Sequence, residues 1–334
     1  MNNQTKRIEW VDVAKGIGIL LVVHGHSRGP GFLLPNFFHM PMFFLISGLL
    51  YKSDGSLKEY IVKKRNSLYI PYIFWNLLGA VIWGIAQGTS IRGLCKQGIK
   101  ILLTLSRGQF FGATWFLGAL FLVSVFYKIL DVFFENCKHK RLYRNMICLV
   151  LVLIGFSWTL PFMLSRTLIL CGFYAMGVWI KEQKWNLDIS HEHLKSIAAL
   201  GVFLLIALNH TASMGNNEYS SKGLFVIAAL CGSYVVFYLS QIIQKYTGTL
   251  KTILVYFGKN SIDILIWHFV VFNVVIVLQL YLDGKPLSTF VQYSPVYTGN
   301  NGWWLAYLSV GMLLSLVLGK LLRKSNVLKK LHIV

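Results

Sequence analysis

Stretches of about 18 or more mostly apolar residues recur along the whole chain, and they restrict its fold more than any other feature. Each stretch is long enough to cross a hydrocarbon layer of about 30 Å as an α-helix. No water is present in that layer to bind backbone groups, so only helices and closed barrels are possible. Continuous apolar runs, rather than alternation over about ten residues, favour helices. The sequence therefore predicts an all-α, polytopic integral membrane protein.

About ten transmembrane helices are predicted along the chain. Their ranges are 11–27, 36–52, 69–87, 114–134, 145–164, 166–181, 195–211, 222–242, 257–282 and 302–322. The stretch near 88–113 carries cations among apolar residues and is predicted to be an amphipathic helix on the membrane surface. Residues 1–334 are interpreted as a single membrane domain without an appended soluble domain.

The charge of the chain predicts its orientation in the membrane. Hydrophobic residues make up 55% and charged residues 13%, with 32 Lys and Arg against 12 Asp and Glu, so the net charge is +20. Most of the cations fall in alternate loops, and such loops face the cytoplasm. Both termini are therefore predicted to be cytoplasmic. Because the cations lie between apolar spans, we expect membrane lipids rather than nucleic acid as their partner.

The first predicted helix holds the densest set of ionisable side chains, and such side chains within a span indicate a functional site. Lys15 and His26 are eleven residues apart and differ by only about 20° around the helix axis, with about 16 Å between them along it. Asp12 lies on the same side and is close enough to pair with Lys15. His24 faces elsewhere. The alternative is that Lys15 extends to the cytoplasm and both histidines lie among the outer headgroups.

Further polar residues occur near or within other predicted spans. His39 begins the second span close to His26, and three histidines near one membrane face raise the possibility of a metal site. No carboxylate or cysteine belongs to that cluster, so no metal site is predicted. His268 lies deep in the ninth span, where it is either functional or a structural histidine with a partner. Trp115 and Arg166 are candidates for a substrate contact or for packing and headgroup anchoring.

Several segments of the chain, taken in order, resemble one family. The first helix has a basic residue and, eleven positions later, a histidine. The segments are DVAKGIGILLVVHGH, FHMPMFFLISGLLY, KKR followed by YIPYIFW, TWFLGALF, RTLILCGFYAMGVWI and YFGKNSIDILIWHF. Together they cover most of the chain to about residue 275. They resemble the membrane acyltransferase-3 family, and above all its sugar O-acetyltransferase, fucose 4-O-acetylase-like, branch. Ser67 departs from that pattern, because the family usually has a basic residue four positions before the proline at Pro71.

The resemblance implies transfer of an acetyl group from cytoplasmic acetyl-CoA to a hydroxyl of a cell-surface glycan or of its lipid-linked precursor. It implies catalytic roles for His26, Lys15 and Asp12. Acetyl-CoA would be a substrate, and no permanently bound cofactor is implied. The polyanionic nucleotide of CoA would bind the cytoplasmic cations Lys63, Lys64 and Arg65. The acceptor or the developing oxyanion would contact His39, Trp115, Arg166 and His268.

Two mechanistic alternatives stay open at the level of sequence. His26 could withdraw the proton of the sugar hydroxyl, or it could be acetylated and pass the acetyl group on. An alternative of another class is a transporter or flippase for a glycan precursor. That alternative predicts interrupted helices in corresponding halves, and no such correspondence is visible. The resemblance also implies a bacterial cytoplasmic membrane, whereas neither the acceptor nor the oligomeric state follows from the sequence.

Overall fold

A computed structural model describes residues 8–104, 111–161, 163–183 and 188–333, and it is helical nearly throughout these ranges. The helices, in chain order, are α1 Glu9–Ser27, α2 His39–Leu49, α3 Leu57–Lys64, α4 Ile70–Ala86, α5 Ile91–Thr104, α6 Trp115–Phe133, α7 Lys140–Ser157, α8 Leu164–Glu182, α9 His193–Asn209, α10 Lys222–Lys245, α11 Thr249–Lys259, α12 Ser261–Leu282, α13 Phe290–Tyr293, α14 Trp303–Leu322 and α15 Asn326–Lys330. Two short antiparallel strands, β1 Ala212–Ser213 and β2 Glu218–Tyr219, connect α9 to α10.

The prediction of an all-α membrane protein is confirmed. Within the described residues, five helical segments are long and apolar enough to cross a membrane. They are Leu57–Ala86, Trp115–Phe133, Lys222–Lys245, Ser261–Leu282 and Trp303–Leu322. Each of the other five predicted spans also falls on a helix. The total of ten crossings and the cytoplasmic position of both termini stay predictions.

Four predicted spans differ clearly in extent from the helices that the structure shows. In place of 145–164, α7 covers Lys140–Ser157. In place of 36–52 there is a 3-10 turn, Leu34–Phe37, followed by α2, whose 11 residues rise only about 16 Å. The third predicted span begins earlier, because α3 continues through the π-helical turn Arg65–Tyr69 into α4. The ninth, 257–282, is interrupted at Asn260, which separates α11 from α12.

The predicted amphipathic segment near 88–113 contains α5. Most side chains of α5 are exposed, and Arg92, Lys96 and Lys100 lie within an arc of about 80° around its axis. The hydroxyl of Tyr72 in α4 donates a hydrogen bond to the Ile101 carbonyl at 3.0 Å, and this bond ties the two helices together. Residues 105–110 of the segment lie outside the described residues. The position of α5 on the membrane surface stays a prediction.

Helix α1 is the central element, since it packs against α2, α10, α11, α12 and α14. Its contact with α11 is a backbone-to-backbone contact that requires glycine on both sides. A Cβ atom at Gly16 would lie 2.0 Å from the Leu254 carbonyl oxygen, and one at Gly258 would lie 1.8 Å from the Asp12 carbonyl oxygen. Small residues permit this close approach of helices in a membrane. The contact fixes the position and rotation of α1.

A buried ionic cluster joins α6, α7 and α8. The guanidinium of Arg144, which is 1% exposed, pairs with Asp131 of α6 and with Glu182 of α8. Asp131 also accepts a hydrogen bond of 2.7 Å from the hydroxyl of Tyr51, and the ring of Tyr127 lies beneath the guanidinium at 5.4 Å. Buried charges are tolerated only when they are paired and hydrogen-bonded in this way. The cluster therefore holds the three helices together through Arg144.

Candidate active site

The centre of the candidate site is a pair of histidines from α1 and α12. Nδ1 of His26 lies 3.0 Å from Nε2 of His268, and the two rings are nearly parallel, at an interplanar angle of 5°. His268 is fully buried, whereas His26 is half-buried. The sequence placed these two residues in separate helices 242 positions apart, and only the fold shows that they are in contact.

The hydrogen bonds of His268 determine which nitrogen of His26 carries the proton. Nδ1 of His268 lies 2.8 Å from the carbonyl oxygen of Ile264, which can only accept a hydrogen bond. In the neutral ring, Nδ1 of His268 is therefore the donor and Nε2 is the acceptor. Nδ1 of His26 must then be the donor to His268, so that the lone pair of His26 is on Nε2. The chain Ile264–His268–His26 thus fixes the tautomer in which Nε2 is the basic atom.

Aromatic rings cover the histidine pair on the side of α12. The ring of Phe269 lies 4.5 Å from that of His26 and 4.4 Å from that of His268, measured between centroids. Phe272 adds an edge contact to His268 at 5.7 Å. These rings exclude water from one side of the pair, which strengthens the hydrogen bond between the two imidazoles.

The other two histidines near this end of α1 have different partners. Nε2 of His24 lies 2.9 Å from the Pro30 carbonyl oxygen, and its ring packs edge-on against Trp304. His24 thus faces away from His26, as predicted. His39 is buried at the start of α2, with Nδ1 2.5 Å from the Pro35 carbonyl oxygen. Within the described parts of the chain, no group of three or more His, Cys, Asp or Glu side chains is arranged to hold a metal ion.

Asp12 and Lys15 lie far from His26 along the axis of α1, about 21 Å and 16 Å away respectively. Asp12 is buried and Lys15 is half-buried. Lys15 is close enough to Lys64 of α3 for their two charges to interact, and so is Lys63. The fold therefore gathers Lys15, Lys63 and Lys64 at one end of the site and His26 at the other. The catalytic roles predicted for Asp12 and Lys15 stay predictions.

A cavity of about 470 Å³ lies beside that group of cations. We call it the basic cavity. Its charged lining consists of Lys63, Lys259 and Arg323 against one carboxylate, Asp263. Asp263 is paired with Arg323 and not with Lys259, although the spacing of four residues along the sequence allowed the second pairing. The balance of charge in the basic cavity is therefore positive, which favours an anionic ligand.

A smaller, mostly apolar cavity of about 40 Å³ lies beside the basic cavity. It is lined by Ile19 and Val22 of α1, by Leu265 of α12 and by residues of α2 and α6, and it shares Ile262 with the basic cavity. Lys15, Ile19, Val22 and His26 follow one another at helical spacing and lie within about 60° of arc on α1. The polar stripe predicted from Lys15 to His26 is thus interrupted by apolar side chains in its middle.

The remaining predicted site residues lie around these two cavities. Arg65 is exposed, and its Nε donates to the Asn66 side chain at 3.1 Å. Trp115 is buried at the first turn of α6, directly after Thr114, whose hydroxyl accepts a hydrogen bond from Asn76 of α4 at 2.6 Å. Arg166 is half-buried in the first turn of α8, near the hydroxyl of Tyr219 in β2. The acceptor-binding roles of Trp115 and Arg166 stay predictions.

Sequence reasoning missed four residues that line the basic cavity. Arg323 and Ile333 come from the C-terminal segment, and Ile333 is only 3% exposed. Trp75 and Trp267 come from α4 and α12, and their rings meet edge to face at 4.6 Å. Trp267 directly precedes His268, a position that could have drawn attention to it. Nothing in the sequence indicates that the C-terminal segment folds back onto this cavity.

The fold and the site define a helical membrane protein with a partly buried imidazole pair next to a basic cavity. Comparison with protein families matches residues 8–320 to the acyltransferase-3 family, which is described as an acyltransferase domain. The chain belongs to this family, and the resemblance seen in its motifs is confirmed.

One curated relative with significant similarity is the nodulation protein NolL of Mesorhizobium japonicum, strain LMG 29417 / CECT 9101 / MAFF 303099. It is 28% identical over 249 residues, which cover 65% of this chain and 62% of the relative. The chain thus matches less than two thirds of the length of that relative. No solved structure matches the chain significantly.

Proposed function

We propose that this membrane acyltransferase transfers an acetyl group from acetyl-CoA to a hydroxyl of a cell-surface polysaccharide or of its lipid-linked precursor. The main support for the proposal is the contact between His26 and His268, together with the basic cavity that lies further towards the cations along α12. A base is needed where a hydroxyl attacks, and cations are needed where a nucleotide binds. Along α1 and α12, the histidine pair would supply the base and the basic cavity would supply the cations.

The basic cavity suits the nucleotide end of the donor. Coenzyme A carries phosphates, and Lys63, Lys259 and Arg323 supply ammonium and guanidinium donors around a cavity of about 470 Å³. Lys15 and Lys64 add positive charge next to this cavity. On this proposal the basic cavity faces the cytoplasm, in agreement with the predicted topology, and the membrane is the cytoplasmic membrane of a bacterium.

The distance from the cations to the histidines suits the arm of the donor. Lys15 and His26 are about 16 Å apart along α1, which is comparable to the length of an extended pantetheine arm. Ile19, Val22 and Leu265 line the interval between them. An apolar lining there excludes water from the thioester until it reaches the imidazole pair. Ile262 lines both cavities, so on this proposal the arm runs along their boundary towards Trp267, the residue before His268.

The tautomer of His26 suits general-base catalysis. Nε2 accepts the proton of the acceptor hydroxyl while the hydroxyl oxygen attacks the thioester carbon. The positive charge that forms on His26 is stabilised through Nδ1 by Nε2 of His268, which is oriented by the Ile264 carbonyl. The C–S bond then breaks, and the sulfur receives the proton from His26. His268 is thus a positioning residue in this proposal, in place of the oxyanion or acceptor contact that the sequence predicted.

The acceptor is the less defined substrate. His39, Trp115 and Arg166 are proposed to contact it, because they lie at the ends of α2, α6 and α8 that share a membrane face with the C-terminal end of α1 in the predicted topology. Membrane lipids surround the exposed apolar side chains of the outer helices. These assignments rest on the family and on the position of the residues along their helices.

The proposal can be tested by the melting temperature of the purified protein in detergent with and without acetyl-CoA. A ligand at 100 times its Kd stabilises the folded state by about 2.7 kcal/mol. We expect stabilisation of the wild type and of His26→Ala, and a smaller effect for Lys15→Ala. Turnover should be followed by chromatography of free CoA, because the exposed free thiols of Cys95 and Cys137 would add to the signal of a thiol reagent.

The control for His26→Ala is His24→Ala, which removes an imidazole two residues away that faces Pro30 and Trp304. We expect His24→Ala to retain CoA release and His26→Ala to lose it. Absence of stabilisation by acetyl-CoA and by longer acyl-CoAs at about millimolar concentration would contradict the assignment of the donor. Equal activity of the two alanine variants would contradict the role of His26.

A further inference from the structure

The indole N–H of Trp75 is a buried hydrogen-bond donor without an acceptor. Trp75 is 3% exposed, and within residues 8–104, 111–161, 163–183 and 188–333 its Nε1 has no hydrogen-bond partner. Most buried polar side-chain atoms are paired, and a buried donor left unpaired costs about 1–3 kcal/mol. Trp75 is one of the residues that line the basic cavity, and a ligand that enters this cavity is the simplest acceptor for the unpaired donor.

Trp75 lies at the part of the basic cavity that is nearest the histidine pair. Its ring packs edge to face on Trp267 at 4.6 Å, with an interplanar angle of 72°. Trp267 is followed in the chain by His268, which contacts His26. The paired charges Asp263 and Arg323 lie one helical turn further from His268 along α12. Trp75 is thus placed next to the reacting end of a donor whose phosphates bind the cations.

The position of the indole is fixed by its surroundings. Asn76, the next residue, is fully buried and donates to the Tyr72 carbonyl at 2.8 Å and to the Thr114 hydroxyl at 2.6 Å. Phe74 and Phe111 pack against the Trp75 ring at 4.9 and 5.8 Å. A donor held in this way does not have to reorganise when charge develops on its acceptor, and this property makes such donors effective in catalysis.

We propose that the Nε1–H of Trp75 donates a hydrogen bond to the carbonyl oxygen of the acyl thioester and stabilises the oxyanion that forms there. The inference rests on the proposed function. When the acceptor oxygen bonds to the thioester carbon, the electron pair of the C=O bond moves to the oxygen that faces Trp75. The hydroxyl proton goes to Nε2 of His26. Collapse restores the C=O bond and releases the thiolate, which takes the proton from His26, so that Trp75 exchanges no proton.

The test is Trp75→Phe, which keeps an aromatic ring and removes the N–H. Removal of one oxyanion donor lowers kcat by about 10²- to 10³-fold in enzymes where it was measured, so we expect a loss of about 100-fold at saturating acetyl-CoA. The dissociation constant of acetyl-CoA should change by less than about threefold, since the bond strengthens only in the transition state. The matched control is Trp10→Phe, which removes an indole N–H from a buried ring that packs on Phe237 and lines neither cavity, and it should retain kcat within about threefold.

A second measurement uses the wild type alone and does not depend on the folding of a variant. The probes are a trifluoromethyl-ketone analogue of acetyl-CoA, in which CH₂ replaces the sulfur and whose hydrate resembles the tetrahedral adduct, and S-propyl-CoA, which has no carbonyl. We expect the ketone to bind about tenfold more tightly, and Trp75→Phe to abolish that difference. Equal binding of the two probes to the wild type would overturn the inference.

The kinetic outcomes separate this inference from the proposed function. If wild type releases CoA but Trp75→Phe keeps its kcat within threefold, only the role of Trp75 is overturned. A weaker dissociation constant with unchanged kcat would likewise overturn it, because the N–H would then bind the ground state. If wild type neither binds nor consumes acyl-CoA, the proposed function fails as a whole.

Discussion

Replacement of His268 by Phe gives the sharpest test of the histidine pair. The substitution keeps a planar ring in a fully buried position, and it removes the atom that accepts the hydrogen bond from Nδ1 of His26 at 3.0 Å. A hydrogen bond to a charged group contributes about 1.5–3 kcal/mol. Since 1.36 kcal/mol corresponds to a factor of ten in rate, loss of that bond to the imidazolium predicts a decrease in kcat of about 10- to 150-fold.

The assay is release of free CoA by detergent-purified protein, with kcat and KM determined separately for acetyl-CoA. KM for the donor should stay close to that of the wild type, because on the proposed mode of binding the nucleotide lies in the basic cavity, which His268 does not line. His268→Gln retains an amide oxygen that can accept from His26, so it should lose less activity than His268→Phe. His24→Phe is the matched control and should be active. A His268→Phe variant with the kcat of the wild type would refute the reasoning that His268 orients and stabilises His26.

Other parts of the structure give three further predictions. Arg144→Met leaves the buried carboxylate of Asp131 without its guanidinium partner and should destabilise the protein by about 3–5 kcal/mol. Arg141→Met, at a side chain that is 56% exposed, should change the stability by less than about 1 kcal/mol, and both changes are measured by unfolding in detergent. Gly258→Ala would place a methyl group 1.8 Å from a carbonyl oxygen of α1 and should lower the melting temperature, unlike Gly223→Ala, whose methyl meets nothing within 4 Å. Lys259→Gln should weaken acetyl-CoA binding and reduce its dependence on salt concentration, as titrations at two ionic strengths would show.

Much of the fold could be predicted because the membrane imposes a length and a composition on each helix. The ends of α6, α9 and α14 lie within two residues of the predicted ends. The prediction was less accurate where helices are interrupted inside apolar sequence. The boundary at Asn260 comes two residues after Gly258, where α11 packs closely on α1, and such a contact between distant segments leaves no periodic signal in the sequence.

The site could be predicted only in part, for a similar physical reason. Lys15 and His26 belong to one helix, so their common face follows from helical geometry alone. The partner of His26 is His268, 242 residues away, and only the packing of α12 against α1 reveals it. Arg323 reaches Asp263 from the end of α14 and replaces Lys259, the partner that local spacing allowed. Contacts within a helix were therefore predictable, whereas contacts between helices required the fold.

The position of the cations in the basic cavity has a consequence for regulation by metabolite levels. Arg323 pairs with Asp263, five residues before His268 on α12, so the positive groups lie away from the thioester on the proposed mode of binding. They would contact phosphates that acetyl-CoA shares with free CoA, and such uniform contacts cannot discriminate substrate from product. Free CoA should therefore inhibit competitively, with an affinity close to that of the donor. The rate of glycan modification would then follow the cellular ratio of acetyl-CoA to CoA more closely than the concentration of acetyl-CoA itself.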